Sequence, residues 1–159
     1  MLDLNGTENL MDLFCGIGSI GLFMADKAKS VLGVECVPQA IENAKQNAKQ
    51  NGIKNAEFMV GLSEDVFAEK TNEGTLPDVV IIDPPRKGCD EKLLNTLLKY
   101  SPEKILYISC NPATLARDLS VLSKIYDVGT IYPYDLFPNT KHTECVVKLE
   151  NRQKNNKSH

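Results

Sequence analysis

A chain of 159 residues, 42% hydrophobic and 25% charged, is one ordinary globular domain with enough core to need no staples. Its apolar runs are too short to span a bilayer, and its opening MLDLNGTENLMDLF lacks the basic-then-apolar order of a signal peptide, so the cytoplasm is the expected compartment. Five scattered cysteines without a C-x-x-C pair, and only two histidines, argue against a zinc site or a disulfide framework, and a net charge of −3 argues against a surface that grips nucleic acid all over.

Strand-like and helical patterns alternate along nearly the whole chain. Residues 9–15 read as a first strand, 19–28 as a helix, 30–36 as a second strand, and 38–51 as a helix opened by Pro38 and stopped by Gly52. Residues 56–61 form a third strand and 64–70 a short helix. After a turn-rich link, 78–83 (DVVIID) is the continuous apolar run of a strand buried on both faces. Residues 90–100 are a helix with leucines at 93, 94, 97 and 98, followed by a strand over 104–109 and a helix over 112–125. Residues 128–134 and 143–149 are strands whose link is too short for a helical crossover, so they pair antiparallel. The polar stretch 151–159 is expected to be a disordered tail. The pattern predicts one α/β domain over 1–150, a doubly wound sheet with an antiparallel final hairpin. Ligands of such sheets bind beyond the carboxyl ends of the strands, so the residues there carry the chemistry.

The first strand runs into Asp12-Leu-Phe-Cys-Gly16-Ile-Gly18-Ser-Ile-Gly21, glycines that allow a tight turn and a close backbone approach to a ligand. Glu35 ends the second strand, where a carboxylate can accept hydrogen bonds from both hydroxyls of a ribose. Nicotinamide and flavin enzymes use the same geometry. Two details favour S-adenosylmethionine instead: Asp12, an acid expected near the cofactor's cationic end, and Asp83-Pro84-Pro85, whose rigid prolines fix an acceptor beside the site. Gly61-Leu-Ser-Glu64 is where adenine contacts are expected, although Ser63 and Glu64 serve equally well as helix caps.

The fifth strand ends Ser109-Cys110-Asn111-Pro112, placing a cysteine beside Asp83 at the carboxyl edge of the sheet and at the positive end of the next helix, a setting that favours a thiolate. Near the end of the chain, Glu144 enters the last strand and is brought to the same edge. A carboxylate facing a thiolate is a workable pair of base and nucleophile.

Four segments then occur in order: Asp-Leu-Phe-Cys-Gly-Ile-Gly from Asp12, Asp-Pro-Pro-Arg-Lys-Gly from Asp83, Ser-Cys-Asn-Pro from Ser109 and His-Thr-Glu-Cys-Val from His142. Together they resemble the methyltransferase domain of the bacterial RNA uracil-5-methyltransferases, which make 5-methyluridine in transfer RNA and 23S ribosomal RNA. The resemblance covers residues 8–149. It implies a Rossmann-like class I methyltransferase, with a mostly parallel seven-stranded sheet and an antiparallel last strand. It also implies S-adenosyl-L-methionine as cofactor, with Phe14, Gly16, Gly18, Ser19, Glu35 and Asp83 at cofactor-binding positions. Cys110 would be the nucleophile and Glu144 the base, and RNA the substrate, with 23S ribosomal RNA favoured over transfer RNA. Ser19 falls where some relatives carry asparagine. Relatives of this kind are longer, with an oligonucleotide-binding (TRAM) domain and an RNA-contacting segment ahead of the catalytic part. A catalytic fragment separated from those parts reconciles an acidic chain with an RNA substrate, and it is expected to bind cofactor but turn over poorly. Arg86, Lys87, Arg117 and Lys141 are the local candidates for phosphate contacts. An amino-methyltransferase with an Asp-Pro-Pro strand end and a non-catalytic Rossmann-like module are the competing readings.

Overall fold

A computed structural model describes residues 2–136 and 143–155. Lys141, His142 and the last four residues of the expected tail lie outside the described residues. The strands are β1 (Asn9–Leu13), β2 (Ser30–Glu35), β3 (Ala56–Val60), β4 (Val79–Ile82), β5 (Lys104–Ser109), β6 (Tyr126–Tyr134) and β7 (Glu144–Asn151). The helices are α1 (Ser19–Met24, continued by a 3-10 turn at Ala25–Lys27), α2 (Pro38–Gln50), α3 (Ser63–Asn72), α4 (Glu91–Tyr100), α5 (Pro112–Leu122) and α6 (Arg152–Asn155).

All seven strands join one sheet in the order β3-β2-β1-β4-β5-β7-β6. The first five are mutually parallel, and β7 runs antiparallel to both β5 and β6. The expected final hairpin therefore forms, with its second strand inserted next to β5 and its first strand at the edge. No helix among the described residues is long and apolar enough to cross a membrane.

Four consecutive apolar residues make β4, and all four are buried, because α1 covers one face of the sheet and α3, α4 and α5 cover the other. Leu93, Leu94 and Leu97 of α4 recur at helical spacing and face the larger core. Asp90 starts that helix by accepting the Leu93 N–H at 2.8 Å. Asn111 starts α5 in the same way, accepting the Ala113 N–H at 3.1 Å, with Pro112 supplying a preset first turn. Strand period two divides β7 cleanly. Cys145, Val147 and Leu149 are buried in the larger core, while Glu144, Val146 and Lys148 lie half-buried on the opposite face.

The chain's end differs from expectation. Asn151 is buried at the end of β7, donating its N–H to the Glu103 carbonyl at 2.9 Å and its side-chain amide to the Ser101 carbonyl at 3.2 Å. Arg152 then pairs with Asp127 at 3.0 Å and opens the short α6. Polar residues that suggest disorder by composition here serve the backbone carbonyls left open after α4.

Candidate active site

The turn after β1 is built by its glycines and by Phe14, which takes a positive φ of 63°. Gly18 sits at φ +83° with the Phe58 ring below it, where a Cβ would approach within 2.9 Å. A side chain there is excluded both by strain and by space. Ser63 is buried and accepts the Phe14 N–H at 3.2 Å, tying α3 to the glycine turn rather than capping its own helix.

Glu35, at the end of β2, is held on both oxygens. Oε2 accepts the Gly16 N–H at 3.2 Å, and Oε1 accepts the Val37 N–H at 3.0 Å and the Cys36 thiol at 3.2 Å. Partial burial alone raises the Glu35 carboxyl, but these hydrogen bonds outweigh it and hold the group below its ordinary value. A carboxylate offers about four acceptor positions, so the fixed Glu35 retains capacity for hydroxyl donors.

A cleft of about 380 Å³ opens between these ends, lined by Phe14, Glu35, Ser63, Glu64, Asp83 and Pro85 among others. Phe14, Glu35 and Asp83 thus converge on one cavity; Gly16 does not line it but donates its N–H to Glu35, which does. Gly18 is buried beneath the turn. Ser19 is exposed and lines a separate hollow with Leu22, Phe23 and Asn47, so the structure does not bring it to the cleft.

Asp12 does not reach the cleft as a free acid either. It is 1% exposed, with Oδ2 accepting the Gly21 N–H at 2.9 Å and Oδ1 buried without a partner among the described residues. Burial pushes its carboxyl up to about 7, against the lowering effect of the Gly21 bond and with a smaller push from Asp83. Asp12 braces α1 from below.

Asp83 follows β4 and is half-buried at the mouth of the cleft; burial first, then the nearby Glu144 carboxylate, raise it to about 6. The last pair joining β5 and β7 is Ser109↔Cys145. Carrying that register one step further sets Cys110 across from Glu144, on the same face of the sheet. Glu144 is itself paired with Tyr134 of β6. Cys110, Glu144 and Asp83 therefore gather at one carboxyl edge. Burial sets Cys15 and Cys89 apart, pushing each thiol up to about 12, which suits packed residues rather than nucleophiles.

One network leaves no trace in the sequence pattern. Asp118 of α5 is fully buried, and its Oδ2 accepts the Cys89 N–H at 2.8 Å and the Tyr107 hydroxyl at 2.5 Å. Arg117 binds Asp118 Oδ1 at 2.7 Å and the carbonyls of Lys87 and Cys89 at 3.0 Å each. Asn111 and Thr114 each donate to the Arg86 carbonyl at 3.2 Å. The loop that follows Asp83 is thereby fastened to the helix that follows Cys110. Arg117 is consumed by this fastening and is withdrawn from the candidates for phosphate contact. An acid one residue from an arginine on an amphipathic helix reads as a surface pair, and no sequence signal marks it as buried.

Comparison with known proteins identifies the family and the fold. The family described as tRNA (Uracil-5-)-methyltransferase matches residues 2–152. An uncharacterized RNA methyltransferase of Bacillus cereus is 53% identical over 152 residues, which cover 95% of this chain and 33% of the relative. Another, from Clostridium acetobutylicum, is 50% identical over 148 residues, covering 92% and 32%. The chain spans about a third of the length of these curated relatives. Among solved structures, the Pyrococcus abyssi tRNA (uracil-54, C5)-methyltransferase in complex with S-adenosyl-L-homocysteine superposes with a TM-score of 0.79 at 35% identity, covering 92% of this chain and 35% of that one. An rRNA methylase from Streptococcus thermophilus, 17% identical, shares the fold with a TM-score of 0.72, covering 93% of this chain and 89% of that one. The architecture is that of the S-adenosylmethionine-dependent methyltransferases, and the chain belongs to the tRNA (uracil-5-)-methyltransferase family.

Proposed function

We propose that this chain holds S-adenosylmethionine in the Glu35–Asp83 cleft and methylates carbon-5 of a uridine in RNA, with Cys110 as nucleophile and Glu144 as base. The observation that carries the reading is the register that sets Cys110 opposite Glu144 at the edge where Asp83 stands. The Pyrococcus abyssi enzyme is in complex with S-adenosyl-L-homocysteine, the demethylated form of the cofactor, which supports the choice of ligand.

The cleft fits the cofactor on its own terms. Glu35 is a fixed, ionised acceptor at the end of β2, suited to the two ribose hydroxyls. Nothing lies within 4 Å of the place a Gly16 Cβ would take, so backbone can meet the ligand there. Phe14 lines the same cavity. When bound, S-adenosylmethionine supplies an electrophilic methyl group.

Cys110 adds as a thiolate to carbon-6 of the uracil, and the displaced electron pair moves onto the ring as an enolate, making carbon-5 nucleophilic. Once carbon-5 carries the methyl group, Glu144 removes the remaining carbon-5 proton. The electrons of that C–H bond restore the 5,6 double bond, and the Cys110 thiolate leaves. Asp83 stands beside both groups as a hydrogen-bond acceptor for the uracil. The target uridine must leave its stack to reach the edge.

The test uses the whole protein, with transfer RNA and 23S ribosomal RNA that lack 5-methyluridine. Ribosomal RNA is the expected acceptor. Substrate carrying 5-fluorouridine at the target should trap a covalent adduct with Cys110, because fluorine cannot be removed as a proton. Methyl transfer to an exocyclic amine without an adduct would replace this reading by the amino-methyltransferase one.

A further inference from the structure

Edge strand β6 carries two half-exposed tyrosines, Tyr132 and Tyr134, each 46% exposed. Their direction is set by an irregularity. From Tyr126 to Val128 the strand pairs in register with Asn151 to Leu149; from Ile131 to Tyr134 it pairs with Val147 to Glu144, one residue out of step. The extra residue falls at Gly129–Thr130, where a Cβ on Gly129 would stand 2.9 Å from the Lys148 carbonyl oxygen. In a strand of period two, one inserted residue exchanges the two faces. Without the bulge, Tyr132 would oppose Cys145 on the buried-core face. With it, Tyr132 opposes Val146 and Tyr134 opposes Glu144, on the face of the candidate base.

We propose that Tyr132 and Tyr134 form a stacking platform for unpaired RNA bases beside the target uridine. The proposal rests on the uridine-methylation reading for its choice of ligand. Three observations support it. Tyr134 adjoins Glu144 in the ladder, so a nucleobase on its ring is next to the proton-abstracting group rather than at a distant surface. Both rings lie along one face of one strand, about 7 Å apart along the chain, a spacing that receives splayed bases and not a stacked duplex. Ile131 and Pro133, which precede and separate them, face the other way. Single-stranded RNA is bound by such aromatic surfaces with little regard to sequence. A nucleotide flipped out of its stack leaves its neighbours exposed, and an aromatic ring beside the site compensates them.

The experiment measures binding of a fluorescein-labelled single-stranded oligouridylate to the full-length protein by anisotropy across a salt series. Tyr134→Ala and Tyr132→Ala should each weaken binding about tenfold, while Tyr134→Phe stays near wild type and the salt slope is unchanged, because a ring and not a phosphate contact is lost. S-adenosylhomocysteine binding should stay the same in all three. Alanine variants within twofold of wild type, or an equal loss in Ile131→Ala on the opposite face, would overturn the platform. Because this readout needs no turnover, the platform can fail while methyl transfer stands. Methyl transfer can equally fail while the platform stands.

Discussion

Cys110 and Glu144 occupy facing positions one step past the Ser109↔Cys145 pair that ends the β5–β7 ladder. The proposed mechanism gives them separable tasks. Cys110→Ala should abolish methyl transfer and all adduct with 5-fluorouridine RNA. Glu144→Gln should still form an adduct on normal RNA and release it slowly, with turnover reduced by about a hundredfold or more. Gel-shifted covalent complex against methyl incorporation separates the two, and a Glu144→Gln enzyme with wild-type turnover would remove it as the base.

Glu35 is positioned by three donors from its own chain, so its geometry is set before any ligand arrives. Glu35→Gln keeps the shape but loses the charge that strengthens hydroxyl hydrogen bonds. Calorimetric titration with S-adenosylhomocysteine should show binding weakened about tenfold or more. An unchanged affinity would place the ribose elsewhere.

Asp118→Ala leaves the Cys89 N–H and the Tyr107 hydroxyl buried without their acceptor. The expected loss is about 3 kcal/mol, seen as a melting temperature lower by roughly 10 °C. Arg117→Ala is expected to cost less in stability, since Arg117 is half-exposed, yet to loosen the loop after Asp83 and lower turnover. Thermal melting beside methyl incorporation distinguishes these effects.

Asp12 and Asp83 keep their protons in the folded chain up to about 7 and about 6, against 3.8 when unfolded. Between those limits the folded state binds more protons than the unfolded one. Their contribution to stability is therefore largest in acid and is lost as pH rises through this window. Asp12→Asn removes the larger part of that dependence. Its urea midpoint, relative to wild type, should rise from pH of about 4 to about 7 and then level off. Midpoints that run parallel at every pH would show that Asp12 does not titrate in this range.

What can be read in the sequence follows the range of the forces involved. The run 78–83, the leucines of α4 and the glycine turn after β1 are local patterns, and each folds as its periodicity or turn chemistry requires. Cys110 and Glu144 are legible because both sit at strand ends whose edge the topology dictates. The place of Asp12 is not, because a strand residue's polarity says nothing about whether a helix N–H, here that of Gly21, is waiting for it. The burial of Asp118 is invisible because the Cys89 N–H and Tyr107 hydroxyl that it binds lie 29 and 11 residues away. The bulge in β6 depends on one unpaired residue in the register with β7, which composition does not reveal.

The insertion of β7 between β5 and β6 also sets an order of events. Cys110 is synthesised 34 residues before Glu144, counting from one to the other, and nothing in β1 to β5 supplies the facing carboxylate. The edge strand with its two tyrosines has no place in the sheet until β7 has docked, since among the described strands β6 pairs with β7 alone. Cys110, Glu144 and the aromatic edge therefore share one sheet edge only once β7 is in place. On the proposed mechanism, a chain that has not yet closed its last strand has the Cys110 thiol without the Glu144 carboxylate that would release an adduct.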